Sequence, residues 1–148
     1  MITRIKGKLI EVNQTQAIVE IDALTYALLM PAADIQKLEN QIQSIVTFFT
    51  LHYLESQSQG TSFIPRLIGF STETDRAFFE LFTTVKGIGN RKALRALIKP
   101  FEEIAIAIAQ RNAESLTDLP EIGKRSAETI IASLHGKVDK HIGHTTPI

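Results

Sequence analysis

Two stretches of this 148-residue chain repeat one another 34 positions apart: Val85-Lys86-Gly87-Ile88-Gly89-Asn90-Arg91-Lys92-Ala93 and Leu119-Pro120-Glu121-Ile122-Gly123-Lys124-Arg125-Ser126-Ala127. With Gly89 set on Gly123, Ile88 falls on Ile122, Arg91 on Arg125, Ala93 on Ala127 and Thr83 on Thr117. Each copy leads through apolar residues into a glycine turn, then opens a second apolar stretch with basic residues. The pattern predicts a helix–turn–helix whose second helix starts with unpaired N–H groups and no side chain covering them. Such a start suits a phosphate. Two of them in one small domain point to a grip on nucleic-acid backbone that does not read base sequence.

The formal net charge is +0, so any attraction to a polyanion must come from how the charge is distributed. Residues 1–62 carry 4 basic and 6 acidic side chains, residues 63–148 carry 12 and 10. Between positions 86 and 99 stand Lys86, Arg91, Lys92, Arg95 and Lys99, with no acid among them. The positive charge gathers at the first glycine turn. The absence of cysteine excludes disulfides, thiolate chemistry and Cys-based zinc sites. The N-terminus has no apolar signal region, and no run approaches the roughly 18 apolar residues of a membrane span. A soluble cytoplasmic protein without membrane contact is expected.

Residues 1–70 read as strands. Runs at 2–12, 16–22 and 25–30, rich in Ile, Val, Leu, Thr and Tyr, are followed by a short helix at 31–39 and further strands at 44–54 and 63–70. Five strands with a helix between the third and fourth predict an OB-fold barrel. From Ser71 the apolar period becomes helical. Thr72-Glu73-Thr74-Asp75 resembles a capping box, and helices are expected from there, at 90–98, 101–110, 113–118 and 124–134. The expected domains are a barrel (1–70), a five-helix domain with two helix-hairpin-helix motifs (71–137) and a flexible tail (138–148).

At the turns, glycine leaves room for the closest approach of a phosphate. Ile88 and Ile122 point inward, and Ala93 and Ala127 allow close helix packing. Lys or Arg one to three positions on reaches the same or the next phosphate. A lone Gly-Ile-Gly serves as often to cap a helix; it is the recurrence, basic residues included, that favours a ligand. A dinucleotide-binding reading fails because no third glycine follows and a helix precedes. There is no Walker-A sequence. His135, His141 and His144 lie in or near the tail without an acid set fit for a metal, so neither metal nor cofactor is expected.

The order of these motifs resembles the RuvA family of bacterial Holliday-junction branch-migration subunits, over about residues 1–140. Its marks are Met1-Ile2 with Gly7-Lys8-Leu9, Tyr26 and Pro31, Ile68-Gly69-Phe70, Arg76-Ala77-Phe78-Phe79, and the two glycine motifs. The resemblance implies a flat homotetramer, or two stacked as an octamer, cradling a four-way DNA junction. It puts the phosphate contacts on Gly87, Ile88, Gly89, Arg91, Ile122, Gly123, Lys124, Arg125 and Ser126; charge and spacing add Lys86 and Lys92. It also implies an acidic pin at the tip of the last barrel hairpin, where only Glu55 of Leu54-Glu55-Ser56 is charged.

Three positions depart from the family pattern. One acid stands at the pin in place of two, before a polar loop at 55–62. Glu121 occupies the place of the second motif's first glycine, where its carboxylate either repels the phosphate or faces solvent. Residues 141–148 do not form the family's C-terminal domain, so recruitment of a RuvB-type motor in the usual way is not expected, whether the chain is trimmed or a naturally short homologue. No catalytic residue is expected. In the helix-hairpin-helix DNA glycosylases the reactive lysine sits two positions past the final glycine; here that place is Arg125, which cannot form a Schiff base. A third reading is an oligomeric DNA-repair adaptor with weakened junction binding.

Overall fold

The computed structural model describes residues 1–57 and 62–143. Its backbone divides into two compact units, the first Met1–Arg76 and the second beginning at Ala77.

The first unit is a closed five-stranded barrel: β1 (Arg4–Val12), β2 (Gln16–Ile21), β3 (Leu24–Leu29), β4 (Ile45–Ser56) and β5 (Phe63–Phe70), in the order β1-β2-β3-β5-β4. Neighbours run antiparallel except β3 and β5, which pair in parallel. Helix α1 (Ala32–Leu38) lies between β3 and β4 in sequence, as the OB reading requires. Period-2 alternation sends Ile5, Leu9, Ala17, Val19, Val46 and Phe48 into one buried cluster. Gly7 is set by β1 crowding β2, since a Cβ there would lie 2.5 Å from the Glu20 carbonyl oxygen. Asn13 turns the first hairpin by accepting the N–H groups of Thr15 and Gln16 at 3.1 and 2.8 Å.

Arg76 closes the unit. Its guanidinium donates to the carbonyls of Thr3 and Thr50, at 3.0 and 3.4 Å, and stands 6.0 Å from the centre of the Phe49 ring. Thr50 is itself buried and donates its hydroxyl to the carbonyl of Ile2 at 2.6 Å. The chain's first residues are therefore fastened from two sides. Helix α2 (Glu73–Phe82) starts with Thr72 accepting the N–H of Asp75 at 3.0 Å, the predicted cap.

Six α-helices are present among the described residues. After α2 come α3 (Asn90–Ala96), α4 (Phe101–Ala109), α5 (Ala113–Leu116) and α6 (Lys124–Leu134). The second unit packs around Phe78, whose ring centre lies 5.8 Å from Phe82 and 5.4 Å from Phe101. The segment expected as a loose tail contributes to this core. Val138 is fully buried, a 3-10 turn spans Asp139–His141, and the His141 ring meets Phe78 edge-on at 5.3 Å. Burial of these two side chains outweighs the polar composition that suggests fraying. His144 and the rest of 144–148 lie outside the described residues.

One barrel carboxylate is held at a cost. Asp34 of α1 is 8% exposed, and its Oδ2 accepts no hydrogen bond from the chain. Burial, then the nearby Asp75, push its pKa up to about 6, against a smaller opposing pull from Lys37. A folded pKa above the unfolded 3.8 means the native state holds the proton more tightly. Asp34's contribution is thus full below pH 3.8 and lost as pH rises through 6. Asp34→Asn should be the more stable form at pH 7, by at most about 3 kcal/mol. Chemical denaturation at pH 7 and at pH 4 should show that advantage shrinking toward zero at the lower pH.

Candidate nucleic-acid interface

The two repeats fold into the same turn, bond for bond. Thr83 and Thr117 donate their amides four residues back, to Phe79 and Ala113, and their hydroxyls close the ends of α2 and α5. Val85 and Leu119 donate to Phe82 and Leu116, then Ile88 and Ile122 donate to Val85 and Leu119. The first turn position is left-handed in both, Gly87 at φ 88° and Glu121 at φ 65°. The helix then begins: Ala93 donates to the carbonyl of Gly89 at 3.0 Å, Ala127 to that of Gly123 at 2.9 Å. Ile88 and Ile122 are 5% and 3% exposed, Ala93 and Ala127 fully buried. The inward isoleucines expected from the sequence are present, and the small residues that follow are buried.

The N-cap glycines share one conformation. Gly89 has φ −93°, ψ −179°, and Gly123 has φ −89°, ψ −177°. Any residue adopts that extended backbone, so conformation does not require glycine at either place. Nor does internal packing, because a Cβ built on either meets nothing within 4 Å. Both residues are exposed. What remains is the outer side: neither N-cap makes a side-chain cap to the first-turn N–H groups of α3 or α6, and a Cβ there would stand in open space. Neither first turn contains an acid.

The predicted site residues divide by role. Lys86, Gly87, Gly89, Arg91, Gly123, Lys124 and Arg125 are exposed, while Lys92 and Ser126 are half-buried. Ile88 and Ile122 face the core, so they can offer a ligand only backbone. Arg95 stands out in the sequence only as part of the basic run, and the structure brings it into the site. It spans from α3 to the second turn, with its Nε 2.6 Å from Glu121 Oε2 and a terminal nitrogen 3.0 Å from Oε1. Lys99 and Asp118, 3.5 Å apart, make a second link between the repeats. Glu121 therefore neither faces solvent alone nor lies bare before a phosphate.

Glu55 differs from its expected setting. It lies within β4 opposite Ile64, so the hairpin ladder extends past the predicted strand end. Its carboxylate accepts from Arg66 Nε at 3.0 Å and from the Tyr53 hydroxyl at 3.1 Å, with the side chain 21% exposed. Glu55, the residue expected as the acidic pin, thus carries a paired charge near the end of β4. Residues 58–61, the middle of the expected loop, lie outside the described residues. Among the described residues no group of His, Asp and Glu could hold a metal ion, and no helix is long and apolar enough to cross a membrane.

The sequence model of the RuvA N terminal domain matches residues 1–60, and that of the SAM-like Helix-hairpin-helix tandem matches residues 79–135. The Holliday junction branch migration complex subunit RuvA of Rhodopirellula baltica is 40% identical over 140 residues, covering 95% of this chain and 68% of that protein. The same subunit of Desulfosudis oleivorans is 32% identical over 99% of this chain and 71% of its own length. That of Shouchella clausii is 36% identical over 94% and 66%. With a five-stranded barrel followed by two matching glycine turns and relatives alike along almost its whole length, the chain belongs to the RuvA family.

Proposed function

We propose that this protein is a non-catalytic, structure-selective subunit that binds four-way DNA junctions through backbone phosphates and supports branch migration in recombination and repair. One observation carries the reading. Two exposed helix starts share the same dihedral angles and hydrogen bonds, and each has a glycine that neither conformation nor packing demands. Phosphate oxygens accept from the bared amides of both turns, while Lys86, Arg91, Lys92, Lys124, Arg125 and Ser126 reach the same or neighbouring phosphates. The names of its relatives supply the shape of the substrate.

Selectivity for a branched duplex follows from symmetry. A single turn binds weakly and with steep salt dependence. A homotetramer engaging four arms at once makes the later contacts intramolecular, and avidity multiplies the modest ones. Linear duplex offers no such set. The site lies in the nucleoid-bearing cytoplasm on this reading. Glycosylase chemistry finds no support, since Arg125 stands where the reactive lysine would be.

Mobility shifts on four-way and linear DNA of equal arm length should show preference for the junction; equal affinity would overturn the reading. Reversing the charge of Arg91 and Lys92 together should lower the slope of log K against log[salt] by about 0.9 for each phosphate no longer neutralised. Light scattering should meanwhile return an unchanged oligomer mass.

Gly89→Ala and Gly123→Ala separate ligand access from folding. Alanine loses about 0.4–1 kcal/mol less backbone entropy than glycine on folding but is a poorer N-cap by a similar amount. Melting temperatures should therefore stay close to wild type. Junction affinity should fall about tenfold or more, since each charge-assisted hydrogen bond pushed out of reach contributes about 1.5–3 kcal/mol.

A further inference from the structure

The second turn carries Glu121 where the first has Gly87, at a left-handed φ of 65° that a side chain strains and a glycine accepts freely. The carboxylate must contribute something that a glycine would not. It is held by Arg95 through two N–H···O bonds, at 2.6 and 3.0 Å. That side-on fork is the geometry in which a guanidinium takes either a carboxylate or a phosphodiester.

The surroundings are those of an anion site. Arg91, one turn before Arg95 on α3, bears electrostatically on Arg95, and Lys92 bears on Glu121. Ala93, Leu94 and Ala96 form the buried side of the helix, so its cations gather on the other. The Glu121 carboxyl is held below its usual range, chiefly by the hydrogen bonds from Arg95. It is therefore ionised wherever the protein meets DNA. Arg95 and Glu121 side chains are 56% and 42% exposed, open to exchange with a ligand.

We propose that Arg95 is a further ligand for backbone phosphate, and that Glu121 fills its fork in the free protein as a built-in competitor that a DNA phosphodiester displaces. The inference rests on the junction-binding function proposed above. It gives the non-glycine turn a purpose. A strand presented to one turn alone gains little by displacing a carboxylate already in place. A strand held by several turns at once makes the exchange intramolecular and favourable. The competitor thus weakens chance encounters with duplex more than it weakens the engaged junction. It also leaves a thermodynamic mark: the Glu121 carboxylate freed from the fork stays beside the phosphate and offsets the cation that Arg95 would otherwise release from the DNA, so the exchange adds little to the salt slope.

The test compares wild type, Glu121→Gln, Arg95→Ala and the double variant on four-way and linear DNA across a salt titration. Glu121→Gln keeps the side-chain shape and removes the charge. It should bind several-fold more tightly at low salt, with a slope steeper by about 0.9 per protomer engaged. Its gain should be larger on linear duplex than on the junction. Arg95→Ala alone should weaken binding, and the double variant should return to the wild-type slope.

A Glu121→Gln protein with unchanged or lower affinity and the wild-type slope would make the pair a structural strut and overturn the inference while leaving junction binding intact. A wild-type protein that binds no junction DNA would remove both proposals. If Glu121→Gln fails to fold, Glu121→Gly, which relieves the left-handed strain, gives the same reading.

Discussion

The repeated feature of the second unit is a pair of helix starts, α3 and α6, whose first-turn amides receive no side-chain cap. A helix start is unpaired by construction, and most proteins cover it with a Ser, Thr, Asp or Asn side chain. Asn112 does this for α5, accepting from the amide of Ser115 at 3.1 Å. Helices α1 and α4 also start without such a cover, at Pro31 and Pro100, while Gly89 and Gly123 leave it out in one shared geometry. Burial of Ile88 and Ile122 makes this arrangement rigid, because the residue before each glycine is anchored in the core. The amides are bare and cannot turn away.

Acid placement is the second constraint. Two carboxylates that could oppose a polyanion, Glu55 on β4 and Glu121 in the second turn, are each held by an arginine, Arg66 and Arg95. The partners come from different elements, and each carboxylate's charge is balanced by its arginine. Exposed ion pairs contribute little to stability. Their larger effect is on the field that an approaching phosphate meets.

The barrel, the five following helices and the glycine turns are legible in the sequence because their signals are local: alternation of period 2, helical spacing, and a repeat that can be read by sliding the chain along itself. Strand and helix limits fall within a few residues of those expected, as frayed ends allow. Meetings of distant positions are harder to see. Arg95 and Glu121 are 26 residues apart and carry no mark of their pairing. Glu55 reads as the edge of a loop because Ser56 and Gln57 are polar, yet pairing of Ser56 with Phe63 carries the ladder past it. Val138 and His141 read as a tail by composition, which says nothing of the Phe78 ring that His141 packs against.

The barrel's closure has a consequence for how the chain acquires its shape. Four of its five seams join β1 to β2, β2 to β3, β4 to β5 and β1 to β4 with long antiparallel registers. The fifth, between β3 and β5, rests on two pairs, Leu28 with Leu67 and Leu29 with Ile68. Hairpins between sequence neighbours form in microseconds, whereas joining remote segments must first overcome the entropy of the intervening loop. The short parallel seam joins remote segments through two pairs alone, so it gains the least against the entropy of closing its loop.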